Sequence, residues 1–139
     1  MKKYSALFLL VIFAFIVISS CDDITPVSQK ERVEMWIDDY NASNYGSMGE
    51  HFDNSMNDYA TLIQSSAWWQ NTSECIFASV YVDGFSITLN SSSGSTTRNV
   101  TIEDDGTSIA MTISFTEESE DIWVISKIVN NSGPTTILE

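Results

Sequence analysis

Apolar residues are spaced in three ways along this chain, and each spacing predicts a different kind of segment. Ala6 to Ile18 is an unbroken apolar run. Between Val33 and Ile63 apolar residues recur at helical intervals, i, i+3, i+4 and i+7. From Ile76 to Val129 they alternate with polar ones, the period of a strand with one face buried.

The helical part divides into three. Val33, Trp36, Ile37 and Tyr40 share one helix face, with Glu31, Glu34, Asp38 and Asp39 mostly off it. Thr25-Pro26 places a proline where a helix can begin. Ser28-x-x-Glu31 is a capping-box pattern. The first helix is therefore expected from about Pro26 to Ala42, starting at either Thr25 or Ser28. Asn44-Tyr45-Gly46 ends it. Ser47-x-x-Glu50 is a second capping box, predicting a short helix from Met48 to Phe52. Met56, Tyr59, Leu62 and Ile63 predict a third, and Trp68-Trp69 closes this half.

Strands follow. Ile76 to Val82 alternates, and Asp83-Gly84 reads as a hairpin turn or a kink in one longer strand. Phe85, Ile87 and Leu89 continue the pattern. Asn90 to Thr96 is a Ser/Gly loop. Val100 and Ile102 lead to a turn at Glu103 to Gly106. Ile109, Met111, Ile113 and Phe115 form the cleanest alternation. After an acidic turn, Glu117 to Asp121, a last strand runs from Ile122 to Val129. Trp123 and Ile125 share its inner face, with Trp123 expected against Trp36 or Tyr40. Helices first and antiparallel strands after define an α+β domain over 26–130, with a polar tail over 131–139.

The first run has its own meaning. Lys2 and Lys3, the apolar stretch and Ser19-Ser20 have the charge, length and small-residue exit of a secretory signal. Ile18-Ser19-Ser20-Cys21 resembles the bacterial lipobox. That resemblance implies a signal peptide over 1–20, cleavage before Cys21, lipid on the Cys21 thiol, acylation of the new amine, and a tether over 21–25. The protein would then sit in a bacterial cell envelope, held to a membrane through its N-terminal lipid. Two or more acyl chains make a stable anchor where one does not. An uncleaved membrane helix would need about 20 apolar residues, more than this run supplies. A plain secretory signal followed by a chance cysteine remains the other reading.

Charge narrows the partners. All nineteen acids lie beyond Cys21, so losing Lys2 and Lys3 takes the net charge from −13 to −15. Such a surface repels nucleic acid. With Cys21 assigned to lipid, Cys75 is left without an intrachain disulfide partner. No zinc spacing occurs, so neither metal nor cofactor is expected. The acidic turns lack the alternating ligands of a calcium loop. Five Asn-x-Ser/Thr triplets are attributed to a composition rich in these residues.

The helical order and the ending Asp121-Ile122-Trp123-Val124-Ile125-Ser126-Lys127-Ile128 resemble the nuclear-transport-factor-2-like superfamily. Tyr45-Gly46-Ser47-Met48-Gly49-Glu50-His51-Phe52 resembles its second, short helix. The resemblance implies N-terminal helices packed on a curved antiparallel sheet, a cone. It implies either a small-molecule isomerase or cyclase of the ketosteroid-isomerase or SnoaL type, or a non-catalytic binder. No Gly-x-Ser-x-Gly or other nucleophile motif is present. His51 reads as a surface or cap residue, and an acid–Tyr pair from Asp38, Asp39 and Tyr40 as a minor option. Aromatics are the dense feature. Trp36, Tyr40, Tyr81 and Trp123 are the candidate pocket lining for a hydrophobic ligand, unless they simply fill the core. The expectation is a non-catalytic domain that binds such a ligand or an envelope protein.

Overall fold

The computed structural model describes residues 25–64, 66–71, 75–89, 96–131 and 136–139. The expected signal peptide, Cys21, nearly all of the tether and most of the Ser/Gly loop lie outside the described residues.

The chain forms α1 (Gln29–Asn41), a 3-10 helix (Tyr45–His51), α2 (Tyr59–Gln64) and α3 (Ser66–Gln70). Five strands follow: β1 (Val82–Leu89), β2 (Thr97–Asp104), β3 (Thr107–Ser119), β4 (Ile122–Asn130) and β5 (Thr136–Leu138). They make one antiparallel sheet in chain order. The α+β class holds, with the helical segments packed against the sheet.

Of the two possible starts for α1, Ser28 caps the helix. Its Oγ accepts from the Glu31 N–H at 3.3 Å, and Glu31 Oε2 accepts from the Ser28 N–H at 2.8 Å. The helix does not reach back to Thr25 because the Val27 backbone is used elsewhere. Its N–H donates to the Asp121 carbonyl at 2.9 Å, and its carbonyl accepts from Trp123 at 3.0 Å. Ser47 does not cap the second helix. That helix starts earlier, after Asn44, and the Ser47 hydroxyl instead accepts from the Asn44 amide at 3.1 Å.

The alternation from Ile76 to Tyr81 produces no strand. Side chains take the backbone groups that a ladder would need. Asp104 Oδ2 accepts from Ala78 N–H at 2.6 Å and Ser79 N–H at 3.3 Å, and the Ser79 carbonyl accepts from Tyr40. The Ser79 hydroxyl bonds both the N–H and the carbonyl of Tyr81. Asn41 finishes the segment, accepting from Val82 N–H at 2.7 Å and donating to its carbonyl at 2.8 Å. Asp83-Gly84 is a kink at the start of β1, where the register shifts.

Asp105 and Gly106 both have positive φ, 48° and 74°, as a two-residue type I′ hairpin requires. Register shifts along β3 and β4 mark bulges, which bend a sheet. The outer edge of β4 is covered piece by piece. Val27 bridges Ile122, Phe52 bridges Ile125, and β5 pairs with Ile128 and Val129. The segment expected to be a polar tail thus carries a fifth strand, and Leu138 is buried.

The core lies between α1 and the sheet. Val33, Trp36, Ile37 and Tyr40 meet Val100, Ile102, Met111, Ile113, Ile125 and Ile128 in one apolar cluster. Trp123 only borders it, half-buried. Its ring stacks on neither Trp36 nor Tyr40.

Candidate functional site

The aromatic residues gather around Trp36. Its ring centroid lies 5.4 Å from Phe77, 5.7 Å from Phe52 and 6.4 Å from Trp69. Tyr40 meets Phe77 at 4.5 Å and Trp69 at 6.4 Å. These are the edge and tilted contacts of packed rings. All five residues are buried, so the space between helix and sheet is filled at this level. Of the four residues named from sequence, Trp36 and Tyr40 share this cluster. Tyr81 lies outside it, 58% exposed, and Trp123 borders a separate cleft. Burial holds the Tyr40 phenol well above its usual range, so it is a neutral donor, at 2.6 Å from the Ser79 carbonyl. Burial likewise raises the Cys75 thiol, which sits 4.0 Å from the Tyr40 hydroxyl.

A second cluster joins α1 to the 3-10 helix. Here the surface reading of His51 is overturned: the residue is 1% exposed. Its Nε2 is 2.9 Å from Asp39 Oδ2, and its Nδ1 faces Arg32 at 3.5 Å. Arg32 also donates to the Glu50 carbonyl at 2.9 Å and to the Trp123 carbonyl at 2.7 Å. With a carboxylate at Nε2 and a guanidinium at Nδ1, the ring is the neutral tautomer carrying its proton on Nε2. Burial lowers its pKa and Arg32 adds to that, while Asp39 pulls the other way. An Asp–His pair is the raw material of a general base. In this one both ring nitrogens are occupied by protein groups. No spacing pattern signals it, because twelve residues and a change of helix type separate Asp39 from His51.

The third feature is a cleft of about 430 Å³. Ser28, Gln29 and Lys30 at the start of α1 form one side, and Ile87, Thr88, Arg98 and Trp123 from the sheet form the other. Strand alternation explains Arg98. On β2, Val100, Ile102 and Asp104 are the buried, helix-facing residues, and Arg98 stands next in that row. Ile87 lies opposite Val100 and shares the same face. The inner face of β2 therefore carries an acid at one end and a base at the other. Asp104 is met by two amides. Among the described residues Arg98 has one long bond, Nη1 to the Thr97 carbonyl at 3.4 Å.

Other depressions differ in kind. One, also about 430 Å³, is bordered by Glu31, Glu34, Asp38 and the exposed Met35. Among the described residues no three His, Cys, Asp or Glu side chains come together as a metal site would need.

Comparison with protein-family models, with curated proteins and with solved structures finds no match for this chain.

Proposed function

We propose that this protein is a lipid-anchored lipoprotein of a bacterial cell envelope whose mature part is a non-catalytic binding domain. The anchor reading rests on the lipobox-like Ile18-Ser19-Ser20-Cys21 behind a signal-like run. The fold reading, a nuclear-transport-factor-2-like cone, rests on the helix order, the bulged antiparallel sheet and the Trp123-Val124-Ile125 ending. The binding reading is carried by one observation: the interior is packed with aromatic rings, while the cleft beside it stays open and is lined by Trp123. A hydrophobic ligand sealed inside the core is thereby disfavoured, and binding falls to the rim. The enzyme alternative has its best candidates in Asp39 and His51, whose polar atoms are spent on each other, on Asn44 and on Arg32.

Metabolic labelling with a tagged fatty acid tests the anchor. The natural chain should take up label and be processed, and Cys21→Ser should do neither. Normal processing of that variant would overturn the anchor. Turnover of any small molecule by the purified chain, lost in Asp39→Asn, would overturn the non-catalytic reading.

A further inference from the structure

We infer that the cleft between the start of α1 and the sheet is a binding site for a small organic anion with a flat apolar portion. The inference rests on the binding-domain reading and names the class of ligand. Beyond Cys21 this chain has nineteen acids and only four bases, Lys30, Arg32, Arg98 and Lys127. Two of those four, Lys30 and Arg98, line this one cleft, and among the described residues no acid lines it. Among the described residues neither makes an ion pair; the ion pairs are His51 with Asp39 and Lys127 with Glu139. A base with no ion-pair partner among the described residues is unusual on so acidic a protein, and more so on the inner face of a strand, where an uncompensated charge is costly to bury.

The geometry supplies a reason for keeping it. Arg98 is half-buried and lines the cleft. Its fork of donors suits a carboxylate or a phosphate. Lys30 adds a second positive charge from across the cleft. Trp123 and Ile87 supply an apolar wall for the rest of the molecule, and Ser28 and Thr88 supply hydroxyls. The volume falls within the range of small-molecule pockets. A free metabolite and the headgroup of an anionic lipid share the chemistry that this cleft recognises.

The test uses the full chain in phosphatidylcholine vesicles and equilibrium dialysis against 4-hydroxyphenylacetate and its neutral amide. The acid should bind saturably, at least about tenfold tighter than the amide, as expected for one charge-assisted contact. Arg98→Gln with Lys30→Gln should cost the acid about tenfold or more, with thermal unfolding unchanged. Trp123→Leu should weaken the acid and the amide alike. Competition by phosphatidylglycerol vesicles would assign the cleft to a lipid headgroup, and its absence to a free solute. Equal binding of acid and amide, with both lost in Trp123→Leu, would overturn the anion assignment and leave a binding domain. Acid binding weaker than about 10 mM, or unchanged in the double variant, would overturn the site.

Discussion

Asp39 Oδ2 and His51 Nε2 are 2.9 Å apart, and they tie the last turn of α1 to the end of the 3-10 helix. Arg32, two turns earlier on α1, closes the other side of the ring and reaches on to the backbone of Glu50 and Trp123. Three side chains from two helices thus bind the helical layer to itself and to β4. The behaviour of this clasp with pH follows from where the histidine sits.

Burial lowers the pKa of His51 below the ordinary histidine value of 6.5. The unfolded chain takes up this proton more readily than the folded one. The stability involved is therefore fully present above about pH 6.5 and is lost as pH falls from there through the lowered folded value. The slope cannot exceed about 1.4 kcal/mol per pH unit for one proton. Thermal unfolding between pH 8 and pH 5, read by circular dichroism, should show the decline, and His51→Gln should flatten it. Equal slopes in the two proteins would remove His51 as the cause.

Asp104 holds down the 75–81 loop. The residue is wholly buried, and one carboxylate oxygen accepts from both Ala78 and Ser79. Asp104→Ala leaves both amides without that acceptor, at a cost of about 3 kcal/mol. Denaturant unfolding measures the loss. The released loop should also expose Cys75, so a thiol reagent should react with the variant much faster than with the natural chain. A destabilised variant with unchanged Cys75 reactivity would mean that Asp104 stabilises something other than this loop.

The same loop shows where the sequence was and was not legible. The helix face of Val33, Trp36, Ile37 and Tyr40 was plain, because one amphipathic period decides which residues are buried. The strands from Phe85 onward were plain for the same reason at period two. Ile76 to Tyr81 has that period too, yet Phe77 goes into the core while Asp104, Tyr40 and Ser79 take up the backbone. No local pattern signals contacts made by residues some 25 to 39 positions away. Leu138 was hidden in a polar stretch, since a three-residue strand is too short to show alternation. In the candidate site, Trp123 stood out as an aromatic, but Lys30 and Arg98 did not, because only the register of β2 and the start of α1 bring them together.

Trp36 and Trp123 should respond differently to truncation. Trp36 is fully buried among Phe52, Trp69 and Phe77, and Trp36→Ala should cost about 3–5 kcal/mol. Trp123 is half-buried at the rim, so Trp123→Ala should cost clearly less, about 1–2 kcal/mol. Denaturant midpoints of the two variants decide the order. A larger loss at Trp123 would place the centre of the core on β4 rather than on α1.

The C-terminal strand is a fastener between layers, and substitutions there test it. Leu138 is 2% exposed and pairs with Ile128 in the sheet. Its neighbour Glu139 exchanges backbone and side-chain bonds with Asp58: the Asp58 N–H donates to the Glu139 carbonyl, and the Glu139 N–H donates to Asp58 Oδ2, each at 3.1 Å. Lys127 on β4 meets the Glu139 carboxylate at 2.6 Å. That ion pair is exposed on both sides, and such pairs contribute little. The apolar contact should dominate. Leu138→Ala should cost about 2–4 kcal/mol, and Lys127→Gln less than about 1 kcal/mol. Asp58→Ala should fall between them, because it removes one acceptor and leaves the Asp58 backbone bond in place. Hydrogen exchange gives the second reading. In Leu138→Ala the amides of β4 near Ile128 and the amide of Asp58 should lose protection together, since one strand fastens both. If only the β4 amides open and Asp58 stays protected, the C-terminal strand belongs to the sheet alone.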